Sequence, residues 1–383
     1  MLSSIKYDWR FLVIFSVSLI SISLSGCGRE QLFQSQSYVF GTLVDITIVD
    51  VPEPRARALA NHVMQEFQAL HNQLHAWQPS ELSALNTAFK QGKTVSISPL
   101  LSQLIADATA LSVNSDGLFN PAVGGLIKAW GFQRSEFTPI QPNAEEIKAL
   151  VKANPQMIDI VLNGNKAYSR NPAVQLDLGG YAKGYALDIA ADYLRSQGVK
   201  HALINIGGNI IALGQHGDSP WRVGIQDPRG PSAIATVELA DGWAIGTSGD
   251  YQRYFELNGK RYCHIIDPRT GYPSQGTEAV TVLIPPQKNA NAISIIGKLS
   301  ISQLSYAGVL SDVLSKPIFL SNATQREVIL QKFAQPYQLQ NVMIINSQHQ
   351  TFVTPALAKR IQWLRPEAAK KAIILGSSAT DVK

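Results

Sequence analysis

Four stretches of this 383-residue chain place residue types at spacings suited to holding a phosphorylated ligand. The first is LDLGGYAKGY, residues 176–185, where two glycines join an apolar segment to a helical one. Glycine lets a ligand approach the backbone closely, and the N–H groups of a first helical turn are free to bind an anion. Lys183 falls in that turn and opposes the helix dipole there, which points to an anionic partner. A plain strand-to-helix turn accounts for the same spacing. The second stretch, IGGN at 206–209, is another glycine pair after an apolar run and by itself reads equally as a turn.

The third begins with TSGD at 247–250 and continues with YCHIIDPRTGYP at 262–273. With 261–266 read as a strand, His264 and Ile266 share one face, Cys263 and Ile265 the other. Asp-Pro-Arg-Thr-Gly is turn chemistry, so Asp267 is read as fixing a turn. A single histidine on a strand is more often structural than reactive. The fourth stretch, LSDVLSKPIFL at 310–320, is an apolar run broken by Asp312, Ser315 and Lys316. A helix with an Asp–Lys pair at i,i+4 explains it, a pairing worth roughly 0.2–0.5 kcal/mol. Pro317 suits a helix only near its start or at a kink.

The elements that must position these residues are of both kinds. Alternation and β-branching predict a strand over 38–49, and apolar residues at three- and four-residue spacing predict helices over 54–76, 99–112 and 182–195. Short strands are expected at 158–162 and 174–178. Beyond Gly198 the texture turns to strands at 202–206, 221–225, 233–239, 243–247, 251–257, 261–266 and 279–284. Helices return at 289–301 and 310–321, and 342–352 reads as a closing strand pair. Consecutive strands without intervening helices argue against a doubly wound parallel sheet. The expected class is α+β: mixed, largely antiparallel central sheets with flanking helices, in two intimate subdomains.

A chain of this length, 45% hydrophobic, builds a sizeable core. Its net charge is only +5, and its longest basic cluster is the pair Lys370-Lys371. Nucleic-acid binding, which concentrates cations in stripes or runs, is set aside. Two cysteines, Cys27 and Cys263, support neither a disulfide framework nor a thiolate metal site. Lys6 and Arg10 precede an apolar run over 11–24, shorter than the roughly 20 residues of a membrane-spanning helix. Leu24-Ser25-Gly26-Cys27 then resembles the lipobox of bacterial lipoproteins, in which the cysteine is lipidated. Ordinary secretory cleavage and an uncleaved anchor are the other readings, and each puts the rest of the chain outside the cytoplasm. The expected organisation is a signal peptide over 1–26, a lipidated tether over 27–37, a main domain over 38–355 and a C-terminal extension over 356–383.

Taken in order, together with FGT at 40–42, WQPSELS at 77–83 and FNPAVG at 119–124, the four stretches resemble the ApbE-type FAD:protein FMN transferases. The resemblance runs from about Tyr38 to about Phe352, and DLGGYAKGY, GTSGDYQRYFE and HIIDPRTGYP carry most of it. It implies that Asp177 and Lys183 contact FAD, and that Trp77 lies near the adenine. Phe40 stands where a flavin-site methionine is frequent. Leu118, Phe119 and Asn120 match another FAD-contacting stretch, with Asn where Asp is common. His264, with Ile265, falls on the family's site histidine. The resemblance further implies Mg²⁺ on the carbonyl of Gly180 and the carboxylate of Asp312, with a threonine as third ligand.

Lys316 replaces that threonine. An ammonium about 4 Å from Mg²⁺ is repelled by roughly 8 kcal/mol at an effective dielectric near 20. Either the metal keeps Asp312, Gly180, phosphate oxygens and extra water, which is the expectation since Mg²⁺ readily retains waters, or the ammonium partly substitutes for its charge. The implied reaction moves FMN from FAD to a threonine hydroxyl of another protein, releasing AMP, with His264 or Asp177 as base. The implied acceptors are extracytoplasmic domains of membrane redox complexes, carrying a Ser/Thr-Gly-Ala-Thr-like motif. The implied place is the periplasmic side of a bacterial membrane, the inner membrane favoured, held by the lipid anchor. The rival readings are an FAD pyrophosphatase, in which water replaces threonine, and a non-catalytic FAD-binding lipoprotein.

Overall fold

The structure is a computed structural model that describes residues 31–134, 136–287 and 306–376. The expected signal peptide, Cys27 and the helix expected at 289–301 lie outside the described residues. The alternating segment at 38–49 forms strand, but as the second half of a hairpin. β1 (Leu32–Val39) and β2 (Thr42–Val49) pair antiparallel. Phe40 and Gly41 turn the chain between them at φ of 56° and 72°, the positive pair that a two-residue hairpin loop favours. The polar stretch expected as tether is therefore strand from Leu32 onward.

This hairpin opens a nine-stranded sheet that continues through β3 (His201–Ile206), β4 (Asn209–Leu213), β5 (Ala244–Gly249), β6 (Thr277–Ile284), β7 (Asn341–Asn346), β8 (Thr351–Val353) and β9 (Ile373–Ile374). Spatial order follows chain order throughout. Every neighbouring pair is antiparallel except β8 and β9. Four helices matter to the site or its support: α1 (Glu53–Gln73), α2 (Pro99–Asn114), α3 (Ala182–Ser196) and α4 (Ala307–Phe319). They share a core with one face of the sheet, where Val44, Ile46 and Ile48 meet Phe67, Leu187 and Val313. The opposite face, including Ile245, Leu283 and Met343, packs on Trp221 and Val237 of a three-stranded sheet. Ile361–Trp363 is the third strand of that sheet and β9 extends the large one, so residues 361–374 of the expected extension are built into the fold rather than appended to it. Helices at Glu81–Lys90, Gly124–Ala129, Ala144–Ala153 and Ala323–Ala334 were not anticipated from the sequence.

The strand expected at 174–178 is an extended segment paired otherwise. Buried Asn86 donates its amide to the Leu176 carbonyl at 2.9 Å and accepts the Leu176 N–H at 2.7 Å. The Gln175 and Asp177 N–H groups bond to the Ala122 and Pro121 carbonyls. One side-chain amide thus does for Leu176 what a neighbouring strand does elsewhere.

The tightest contact in the site's frame is the crossing of α3 and α4. A Cβ on Gly184 would come within 2.7 Å of Val309 Cα, and one on Gly308 within 3.0 Å of Leu187 Cβ. Only hydrogen at both positions allows these backbones to approach so closely. Asp188, fully buried on α3, accepts the N–H groups of Gly308 at 2.9 Å and Val309 at 2.8 Å. It caps the start of α4 from a neighbouring helix. Pro317 sits two residues from the end of α4 rather than near its start.

Candidate functional site

The crossing brings the first turn of α3 against the middle of α4. Asp312, its side chain 5% exposed, accepts the Gly184 N–H at 3.1 Å through Oδ2. The donors at this helix start were expected to lie open to phosphate, yet Gly184 spends its own on a carboxylate of the protein. The other carboxylate oxygen, Oδ1, lies 2.6 Å from the Lys316 ammonium. Lys316 also donates to the Asp312 carbonyl at 2.6 Å. That carbonyl accepts the Ser315 hydroxyl at 2.8 Å, and Ser315 bonds in turn to Ser248 of β5 at 2.7 Å. The stem of Lys316 runs over Gly180, where a Cβ would stand 2.6 Å from Lys316 Cε.

Asp177 ends the extended segment. Its Oδ1 accepts the Gly179 N–H at 2.8 Å and its Oδ2 the indole N–H of Trp77 at 3.0 Å. The carboxylate fixes both the glycine turn and the plane of an aromatic ring a hundred residues away. Trp77 sits on the loop ahead of the Glu81–Lys90 helix, which Ser80 and Ser83 cap reciprocally. Phe40 packs its ring 5.9 Å from Phe67 and 5.8 Å from His71, centroid to centroid.

His264 lies just past the strand Lys260–Cys263, not inside it, which corrects the strand expected at 261–266. Its backbone N–H donates to the Arg253 carbonyl at 3.0 Å, and its ring Nδ1 stands 3.2 Å from the same oxygen. A carbonyl only accepts, so Nδ1 carries the proton and Nε2 keeps the lone pair. Burial, then the charges of Arg253, Lys183 and Lys316, hold the imidazole well below its ordinary pKa. It is therefore neutral at physiological pH. Lys183, half-buried, is likewise shifted down by burial, with Lys316 and Arg253 adding to the shift and Asp312 opposing it. Arg253 also feels the charge of Asp177 and donates to the Phe132 carbonyl at 3.0 Å.

Asp177, Lys183, His264, Asp312 and Lys316, taken from stretches spread along the chain, therefore meet around one spot. Arg253 joins them; it lies in the GTSGDYQRYFE segment, where nothing in its spacing separated it from a surface arginine. Other expected contacts serve the fold. Asn120 is buried, donating to the Pro155 carbonyl at 2.9 Å and accepting the Ala122 N–H at 3.1 Å. Phe119 and Ile265 are buried in the core, with Leu118 packed against it. A cleft of about 710 Å³, lined by Asn205, Gln226, Arg229, Thr247 and Arg261 among others, contains none of the expected site residues. Thr247 faces that cleft while its neighbour Ser248 faces α4, so β5 separates the two, and Gln252 and Tyr254 border the cleft on either side of Arg253.

The ApbE family model matches residues 40–297. An FAD:protein FMN transferase of Rhodobacter capsulatus is 45% identical over 249 residues, 64% of this chain and 47% of that relative. This chain thus spans about half that relative's length. An FAD:protein FMN transferase of Vibrio cholerae is 33% identical over 276 residues, covering 70% of this chain and 81% of that one. Among solved structures, the ApbE protein of Thermotoga maritima superposes with a TM-score of 0.73 at 26% identity, covering 86% of this chain and 99% of that one. The apo form of the Pseudomonas stutzeri flavinyl transferase ApbE gives 0.70 at 26% identity, with coverage of 87% and 98%.

Proposed function

This chain belongs to the ApbE family, and from that premise we propose that it is an FAD:protein FMN transferase that esterifies a threonine hydroxyl of another protein. The observation that carries the reading is the meeting of Lys183, His264 and Asp312 beside the α3–α4 crossing, with Arg253 linking them to Asp177. Together they can surround a dinucleotide's two phosphates.

The chemistry is an in-line displacement at phosphorus. A threonine Oγ forms a bond to the phosphorus on the FMN side of FAD. The bridging P–O bond breaks, and its electron pair leaves on AMP. The neutral imidazole of His264 takes the hydroxyl proton at Nε2. Lys183 and Arg253 oppose the negative charge of the pyrophosphate, and in phosphoryl transfer such positioning and charge stabilisation supply most of the catalysis. Asp177, both of whose oxygens hold groups of the protein, positions the turn and Trp77 and leaves the proton transfer to His264.

The Mg²⁺ that the family resemblance implies does not fit the residues present. Both Asp312 carboxylate oxygens already have protein partners, one of them an ammonium. No step above passes through a metal.

Incubation with FAD and a peptide carrying a Ser/Thr-Gly-Ala-Thr-like motif, read by mass spectrometry, tests the proposal. The expected product is the peptide with FMN attached and one AMP released per transfer. Rapid AMP release without acceptor, and no modified peptide, would instead make the chain an FAD pyrophosphatase. Cys27 and the apolar run before it support lipid anchoring on the periplasmic side of a bacterial membrane, facing acceptor domains of membrane redox complexes. Recovery of a Cys27→Ala variant in the membrane fraction at the wild-type level would count against the anchor.

A further inference from the structure

Resting on the flavin-transfer reading, we propose that the Lys316 ammonium is the built-in cation of this pocket, standing where a divalent metal would and letting the chain bind and split FAD without one. Three observations carry it. First, Lys316 lies one helical turn beyond Asp312, and its ammonium donates to both Oδ1 and the main-chain oxygen of that residue at 2.6 Å. A lysine has three N–H donors, so one remains for a phosphate oxygen. Second, the remaining carboxylate oxygen of Asp312 holds the Gly184 N–H at 3.1 Å. A divalent cation entering here must displace an ion pair whose lysine side chain is only 18% exposed. Third, the fold makes room for the lysine: its stem occupies the space that a side chain at position 180 would fill. Gly180 and Asp312 are the two protein groups a metal would use, and Lys316 packs its stem against the Cα of one and pairs with the other.

The charge balance around the pyrophosphate is consistent with this assignment. Lys183, Lys316 and Arg253 face Asp177 and Asp312, with His264 neutral beside them, so cations outnumber carboxylates before the ligand arrives. The reaction is the displacement given above, in which atoms and charge balance without a metal. The ammonium's part is to hold an oxygen of the pyrophosphate and oppose the charge that builds on the departing AMP.

The test compares FAD binding, read by flavin fluorescence, and AMP formation in the presence of the acceptor peptide, for the full chain in chelator and in millimolar Mg²⁺. Less than a twofold change in either quantity is expected. For Lys316→Thr, FAD binding weakens at least tenfold in chelator and recovers with Mg²⁺. Mn²⁺ titrated in the presence of FAD then shows a bound-ion resonance signal for the variant and none for the wild type. Wild-type binding that collapses in chelator and returns with Mg²⁺ overturns the assignment while leaving the transferase reading intact. Absence of FAD binding in both buffers overturns the two together. The wild-type comparison decides the matter even where Lys316→Thr does not fold.

Discussion

His264 is held by one carbonyl and surrounded by positive charge, and both circumstances shape what it does. The hydrogen bond from Nδ1 fixes the tautomer, and burial, reinforced by the cations, keeps the ring unprotonated. His264→Ala should retain FAD binding within a few-fold while losing transfer by about 10²–10⁴, the usual worth of a positioned base. Because its folded pKa is depressed, the base stays competent as pH falls through 6.5. The single-turnover rate should therefore remain flat from pH 8 to 6.5 and decline only below. A decline centred at 6.5 or above would assign the proton transfer to another group. The sequence made Lys183 conspicuous, since a cation in a first helical turn contradicts the dipole. It could not reveal that Gly184, one residue on, gives its N–H to Asp312, because that pairing joins positions 128 residues apart. Asn120 was ambiguous for a related reason: an amide suits a ligand or a loop equally, and here both its ends close a loop.

Among the elements, α4 is the one on which the pocket depends most. It brings Asp312 and Lys316, and its second and third N–H groups, those of Gly308 and Val309, are held by Asp188 of α3. Asp188→Ala leaves those donors buried and unmatched, a loss of about 1–3 kcal/mol. The expected outcome is a lower urea midpoint together with weaker FAD binding; an unchanged midpoint would show that α4 is positioned by its apolar contacts alone. Long periodic helices and β-branched strands were legible because their apolar faces repeat locally. The segment at 174–178 was misread because its apolar residues are buried as in a strand, while its hydrogen bonds go to Asn86 and a loop. The hairpin start was missed because β1 is polar along most of its length, exposing one face of an edge strand to water.

At the scale of the whole molecule, the sheet is a simple meander and the site belongs to what interrupts it. The insertion between β2 and β3 supplies Trp77, Asp177 and Lys183, that between β5 and β6 supplies Arg253 and His264, and that between β6 and β7 supplies Asp312 and Lys316. Local patterning names such pieces but not their meeting point. Beneath the two helix starts, the Asp107 carboxyl of α2 takes weak bonds from the hydroxyls of Tyr181 at 3.5 Å and Tyr306 at 3.4 Å. These residues immediately precede α3 and α4. Burial pushes Asp107 up to about 7. The folded chain then holds this proton more tightly than the unfolded one, whose carboxyl titrates near its ordinary value of about 4. Stability from this group falls as pH rises from about 4 to about 7. Asp107→Asn should therefore gain on the wild type in urea midpoint between pH 5 and pH 8; a pH-independent difference would mean that Asp107 is ionised throughout.

The early start of β1 also sets a distance. With Cys27 held in lipid as proposed, only three residues, four Cα-to-Cα steps, separate it from Gln31, whose carbonyl already accepts the Asp50 N–H at the sheet edge. Fully stretched, such a leash spans about 14 Å. An enzyme so closely moored works a thin layer of space, and the proteins it modifies must present their threonines low, within a domain's height of the headgroups.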